Sequence, residues 1–379
     1  RKKTNQRCIC IYSRDTLRKQ YTAYCKWKYR ITPIKETMMK KYVHHIKCFT
    51  VLIMLLSTAS SKAQDIHFSQ FFETPLLRNP SLAGIFKGDI RAQSVYRSQW
   101  NNITDAYHTG SFNIEYKKSI GKADDFLTIG GQILYDKAGT ITLTSTHILP
   151  VLNYQKSLST ERNMYLSLGF MGGLVQRRID QSKITTNSQY NGVDYDPSLS
   201  NGENFTKTSY SYLDAGVGMS FNTQLGQNEN NNIYLGLAYH HFNKSHKVSF
   251  YGNPDIEMAP KWVGSLGIRM NAGEESYMTL YGDYSKQSSY QETVAGFIYS
   301  YKLGDPEDPR YVLHAGALVR FKDALIPTLK IDISHIAVSF AYDANISQLR
   351  NASYGRGGFE LALGYQNFNN RDNSTKNAV

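Results

Sequence analysis

The sequence predicts an all-β protein: a transmembrane, outer-membrane antiparallel β-barrel of about 14 strands, preceded by a signal peptide. Three observations predict it. A segment near the N-terminus has the order of residues of an export signal. The chain after it reads as alternating blocks longer than the strands of soluble sheets. The connections between those blocks are long on one side and short on the other.

The first 63 residues differ in kind from the rest. All 4 cysteines (Cys8, Cys10, Cys25 and Cys48) lie there, with 15 of the 43 Lys and Arg and only Asp15 and Glu36 as acids. That leaves 28 basic against 29 acidic side chains downstream, so the net charge of +12 belongs to the leader. The later basic residues are dispersed among acids and form no stripe, which argues against a nucleic-acid partner. Met39-Lys40-Lys41 opens a basic stretch, Phe49 to Leu56 is uninterruptedly apolar, and Ser57 to Ala63 is small and polar. This is the order of a secretory signal peptide. The apolar run is far short of the roughly 20 residues a membrane-spanning helix needs. The signal peptide is therefore expected at 39–63, cleaved after Ala63 with Ala59 as the weaker site, and 1–38 is expected to be an unstructured upstream extension. Cys8-x-Cys10 has no second pair at zinc spacing.

After Gln64, Tyr, Phe, Thr, Ile, Val and Gly recur in blocks separated by Asn, Asp, Gly, Ser and Pro, the pattern of strands and turns. The first seven expected strands lie near 89–98, 108–120, 125–138, 141–158, 163–180, 207–224 and 231–243. The other seven lie near 261–271, 277–287, 290–303, 311–322, 325–333, 336–346 and 357–368. Their faces alternate. Met164, Leu166, Leu168, Phe170 and Leu174 share one side, with Tyr165, Ser167, Gly169 and Gly173 opposite. Phe359, Leu361, Leu363 and Tyr365 oppose Glu360, Ala362, Gly364 and Gln366. Soluble strands average about five or six residues. These are longer and match the roughly 9–11 residues needed by a strand tilted across a bilayer, with lipid on the apolar side and a lumen on the other.

With the first strand rising from the periplasm, the outward loops follow odd-numbered strands. The longest connections, 181–206 and 244–260, follow the fifth and seventh, while 159–162, 272–276 and 304–310 follow even ones and are short. The 28 tyrosines suit interfacial girdles, though tyrosine is also a good strand residue. Residues 64–88 precede the first strand, expected on the periplasmic side or folded into the lumen, and 369–379 form a tail. Phe68, Phe71, Phe72, Leu76 and Leu77 are too many apolar groups for a free tail, so this segment either plugs the barrel or docks a periplasmic partner. Arg97, Arg177, Arg269, Arg320 and Glu360 either line a pore or pair with one another inside a plugged barrel.

No catalytic, cofactor-binding or metal constellation stands out. GxSxG, HExxH and GxxxxGK[ST] are absent. His240 and His241 fall in an expected strand, which sends their rings to opposite faces. Asp194 and Asp196 lack the further carboxylates of a calcium loop and read as a solvated turn.

The segment Gln64-Asp-Ile-His-Phe-Ser-Gln-Phe-Phe72, followed by Thr74-Pro-Leu-Leu-Arg-Asn-Pro-Ser-Leu-Ala-Gly84, resembles the opening of the PorP/SprF family of Bacteroidota outer-membrane proteins. That family typically begins with xFSQFY…NPLxxNPAxAG after its signal peptide. Tyr96-Arg-Ser-Gln-Trp100, Gly316 to Phe321, Pro327, Ala341 to Ser347 and Gly357 to Leu361 resemble later family segments, so the likeness spans 64–368. The departures at Glu73-Thr74 and Ser81 bear on subfamily.

The resemblance implies a non-enzymatic barrel of the type IX secretion system, supporting secretion or surface attachment of adhesin-type cargo by protein–protein contact. Implied partners are secretion components on the periplasmic ring and motor side, a large secreted adhesin, and outer-membrane lipid. Partner-binding or plug residues are then expected among Phe68, Gln70, Phe71, Phe72, Pro75, Asn79, Pro80, Arg97 and Trp100. The alternative from the residues alone is a general porin or small-molecule channel.

Overall fold

Strand alternation throws every second side chain to the opposite face of a sheet, and here one face is apolar along the middle of the strands. The computed structural model describes residues 65–368 except 101–105, 122–123, 229–230, 247 and 349. The expected upstream extension, signal peptide and C-terminal tail lie outside the described residues.

Fourteen strands form one sheet: β1 (Ile90–Gln99), β2 (Tyr107–Ile120), β3 (Asp125–Ala138), β4 (Leu143–Ser159), β5 (Met164–Arg178), β6 (Ser209–Gln224) and β7 (Asn232–His240) make its first half. β8 (Lys261–Asn271), β9 (Ser276–Gln287), β10 (Tyr290–Gly304), β11 (Pro309–Arg320), β12 (Ala324–Ile333), β13 (Ile336–Asn345) and β14 (Arg356–Asn367) complete it. Each strand pairs antiparallel with its sequence neighbours, and β14 pairs back onto β1 from Ile90 opposite Asn367 to Gln99 opposite Gly358. Closure leaves no edge and no unpaired strand backbone in hydrocarbon.

Most strand ends fall within two residues of expectation. The main departure is β7, which stops at His240. His241 takes a left-handed backbone (φ 59), and that turn brings its ring inward beside that of His240 instead of onto the opposite face. Both imidazoles are buried, so the expectation of opposed rings is corrected.

The outer surface is apolar. Ile133, Ile148, Leu152, Leu168, Phe170, Leu237 and Leu361 all stand exposed on it. Tyr96, Tyr135, Trp262 and Tyr284 ring one end of this band, and Tyr116, Tyr154, Tyr301 and Tyr365 the other. Such rings mark the two headgroup levels. Tyr165, Tyr210, Tyr212 and Tyr234 are instead buried within, so tyrosine serves both uses. The two rims differ. One carries the long connections after β5 and β7; the other carries short turns, and β1 starts and β14 ends there.

Because the band is read as the lipid-facing surface, position along it sets the cost of a charge. Leu152→Arg is expected to lower barrel stability in lipid vesicles by about 2–4 kcal/mol, and Tyr301→Arg at the short-turn end by about 0–1 kcal/mol. Equilibrium unfolding in denaturant measures both; equal costs would remove the assignment of the bilayer midplane.

Candidate functional site

The interior of the cylinder is occupied by the chain's own residues 65–89, which run from the long-loop rim to the short-turn rim. Three short helical turns form there, Phe71–Glu73, Pro75–Arg78 and Pro80–Leu82. Pro75 and Pro80 open two of them, where a missing N–H costs nothing and φ is already helical. Asn79 caps the third, its Oδ1 accepting the Ser81 N–H at 2.9 Å.

At the long-loop rim Asp65 is clasped between strands. Its carboxylate lies 3.2 Å from Lys261 Nζ and 3.4 Å from His241 Nε2, while His241 Nδ1 lies 2.7 Å from Asp214. An imidazole with a carboxylate at each nitrogen favours the doubly protonated form, which donates to both. Burial alone would lower the His241 pKa, but hydrogen bonds to Asp214 and Asp65 and their charges raise it to about 9. Against the cost of its burial, Lys261 and His241 hold the Asp65 carboxyl well below its ordinary value.

Further in, the segment meets the seam of the barrel. Glu360 on β14 accepts the backbone N–H of Ser69 at 2.6 Å and of Gln70 at 2.8 Å. Arg97 on β1 approaches Glu360 at 3.3 Å, bonds Asp343 on β13 at 2.9 Å, and donates to the His67 carbonyl at 2.6 Å. Ser69 Oγ donates to Asp343 at 2.9 Å and Arg320 reaches the same carboxylate at 3.3 Å. Arg97 and Glu360 are each only 1 % exposed, so these charges depend on one another and on the segment.

Apolar side chains fill the space between the polar contacts. Phe68 packs on Val95, Leu134 and Ala362, and Phe71 on Val294, Leu318 and Ile326. Leu76 and Ala83 meet Leu149, Val151 and Met171. Burying each phenylalanine contributes roughly 1.5–3 kcal/mol. Phe72 stacks half-buried on Tyr281, with ring centroids 5.3 Å apart. Glu73 accepts from Lys330 and Gln93, each at 2.9 Å, and Arg78 donates to Asp283 at 2.8 Å.

Where the segment presses closest, the wall is glycine. A Cβ on Gly169 would collide with the Pro80 carbonyl carbon, and one on Gly218 with Asn79 Oδ1. The Asn79 amide uses that gap to donate to the carbonyls of Met219 and Leu237, both at 3.3 Å. At the short-turn rim, Gly84 N–H and Arg91 both bind Glu115 at 2.9 Å, Lys117 donates to the Phe86 carbonyl at 2.7 Å, and Asp89 N–H reaches Asn367 at 2.8 Å.

Phe68, Gln70, Phe71, Phe72, Pro75, Asn79, Pro80 and Arg97 thus come together inside the cylinder. Trp100 does not: it sits past the end of β1, edge-on to Tyr107 with centroids 4.8 Å apart. Arg97 pairs with Glu360 and Asp343 within the lumen, and Arg320 with Asp343 and Asp323; Arg177 lies beside Tyr210 and Tyr212, and Arg269 over the ring of Tyr277. Sequence reasoning passed over Asp65, Glu115, Asp283 and Asp343. Each of the last three is an acid at an inward position of an alternating strand, the same signal that singled out Glu360. Among the described residues no group of three or more His, Cys, Asp or Glu is placed to hold a metal.

The family model described as Type IX secretion system membrane protein PorP/SprF matches residues 60–365. No curated protein matches the chain. Among solved structures, the P. putida toluene transporter TodX is similar at 11 % identity and TM-score 0.41, over 77 % of this chain and 93 % of that one. A Pseudomonas aeruginosa FadL homologue is similar at 8 % identity and TM-score 0.42, over 76 % and 92 %. The KdgM porin in complex with oligogalacturonate follows at 8 % identity and TM-score 0.33, over 72 % and 98 %.

Two measurements test the anchoring of the segment. Glu360→Ala removes the acceptor of two backbone N–H groups and a neighbour of buried Arg97, so a loss of about 3–5 kcal/mol is expected. It is read as a lowered midpoint of the heat-induced shift in gel mobility, and an unchanged midpoint would refute the seam contact. His241 gains its partners on folding, so its stabilisation is complete below its ordinary pKa of 6.5 and is lost as pH rises through about 9. The midpoint should fall between pH 7 and pH 10 in the wild type. His241→Gln should start lower and fall less.

Proposed function

The chain belongs to the PorP/SprF family of type IX secretion system membrane proteins, and on that premise we propose that it is a plugged accessory barrel acting by protein–protein contact. In this reading its task is to support secretion or surface attachment of adhesin-type cargo, without catalysis and without conducting solutes. The long-loop rim faces the exterior and the short-turn rim faces the secretion components in the periplasm.

One observation carries the reading: residues 65–89 lie along the lumen from rim to rim, tied to both ends. A conducting pore of this family would need that segment to leave, breaking the Glu360, Asp343, Glu73 and Glu115 contacts together. Three of its four phenylalanines, Phe68, Phe71 and Phe86, are buried, which speaks for a plug and against an apolar docking tail in the periplasm. A cavity of about 680 Å³ lies beside the segment and reaches the short-turn rim near Glu307 and Ser334. Phe72, Glu73, Ile85 and Phe86 of the segment itself line it.

In planar lipid bilayers the intact protein is expected to be electrically silent, and a form lacking 65–84 that still shows heat-modifiable mobility is expected to conduct. Steady, ion-selective conductance by the intact protein would favour the porin alternative. In cells, loss of the gene should leave type IX cargo unsecreted or unattached; cargo that reaches the surface normally would defeat the accessory role.

A further inference from the structure

We propose that the two long connections, 179–208 and 241–260, form one rigid cap that docks a protein partner presenting basic side chains; this rests on the accessory role and on the long loops facing outward.

The cap is built as a unit. The connection after β5 folds into a small hairpin in which Tyr190 bridges Tyr195. Asn191 Oδ1 accepts the N–H groups of Val193 and Asp194, both at 2.9 Å, and Asp196 N–H donates to Gln189 at 2.8 Å. The base of the hairpin is held as well: Gln189 Nε2 donates to the Leu199 carbonyl at 3.2 Å and Thr186 Oγ1 to that of Asn201 at 2.6 Å. The second connection packs against the first. Phe205 stacks on Tyr251 with centroids 4.9 Å apart, Lys207 N–H donates to Phe250 at 3.0 Å, and the Tyr251 hydroxyl reaches Glu203 at 2.6 Å. Val248 and Phe250 then seat the pair on Val175, Tyr210 and Tyr212 at the top of the lumen.

What this scaffold displays is unusual for a solvated surface. Val193 is 87 % exposed at the hairpin tip, Tyr190 is 59 % exposed and Tyr195 47 %. These residues lie beyond the strand band, where no hydrocarbon covers them. Ordered apolar groups clustered on a watery rim mark contact surfaces. Between Thr186 and Thr206 the chain is dominated by Asn, Ser, Tyr and Gly, the mixture that protein-recognition loops use for rigid aromatic anchors and adaptable polar contacts. Charge selects the partner. The hairpin-bearing stretch from Ile184 to Thr206 has three acids, Asp194, Asp196 and Glu203, and no Lys or Arg, and the two connections 179–208 and 241–260 together have six acids against four lysines. Carboxylates beside exposed tyrosine faces suit Arg and Lys, through ion pairs and cation–π contacts.

The test replaces the chromosomal copy with Tyr190→Ser/Val193→Ser/Tyr195→Ser, and separately with Asp194→Lys/Asp196→Lys. Intact cells are labelled with a membrane-impermeant biotin reagent, and type IX secreted proteins are quantified on the surface and in the medium. Both variants should keep heat-modifiable barrels and release at least about tenfold more of one secreted protein into the medium. A photo-crosslinking residue at position 193 should join that same protein, and the adduct should weaken in high salt. Normal retention in both variants, while a strain lacking the barrel loses attachment, overturns the cap as the dock but leaves the accessory role standing. A crosslink only to lipopolysaccharide overturns it as well. Normal secretion and attachment in the strain lacking the barrel overturn the accessory role and this inference with it.

Discussion

The carboxylate of Glu360, buried on the last strand, is the point on which the interior turns. It receives two successive backbone N–H groups from the lumenal segment, and Arg97 of the first strand stands beside it. Asp343 on the neighbouring strand takes the other side of Arg97 and the hydroxyl of Ser69. These few groups span β13, β14 and β1, the region where the sheet closes on itself. A lone charge in so dry a place would be costly, and removing any partner leaves another uncompensated. The segment is therefore a structural part of the cylinder, binding first strand to last from within.

The cylinder around that contact inverts ordinary protein logic. Ile148, Leu168 and Leu361 face outward, while Arg91, Lys117, Glu115 and Gln132 face inward, nearly without exposure. In water the outer band would drive aggregation; in a bilayer it is the matched surface. The interior then has no continuous apolar core of its own. It borrows one from Phe68, Phe71, Leu76 and Leu82, each set in a pocket between polar ties. Glycines at 169 and 218 thin the wall where the Asn79–Pro80 turn presses against it. A side chain at either would occupy the space the turn now fills.

The strands were legible because period-2 alternation survives in each block, and Asn, Gly and Asp punctuate the turns. Even the closely spaced pair 325–333 and 336–346 separates where Ser334 turns with φ 53. The end of β7 was not legible, since nothing in Tyr-His-His-Phe announces that the chain turns left-handed at His241. Arg97 and Glu360 were legible as inward charges, but the part of Asp343, which takes the other side of Arg97, was not. Alternation gives the face of a residue and says nothing of what crosses the lumen to meet it. The direction of the segment was hidden for the same reason. A stretch placed before a strand that starts at the short-turn rim is naturally read as lying there, yet Asp65 sits at the opposite rim. Only the ties of Lys261 and His241 to it reveal a path through the barrel.

The long-loop rim gathers more than one role into a single rigid structure. His241 clasps Asp65 and also opens the connection that carries Phe250 and Tyr251. Asp214, its other partner, lies on β6, the strand into which the hairpin-bearing connection leads. The cap and the start of the lumenal segment thus share foundations. Ser69, Gln70, Asn79 and Glu115 pass those foundations down to the seam and the short-turn rim. Bracing of this kind suits the proposed contact at the outer rim, because force on an unbraced loop would spread into the sheet. Filling the lumen with the chain's own ordered segment makes the wall stiff at the place where contact is proposed.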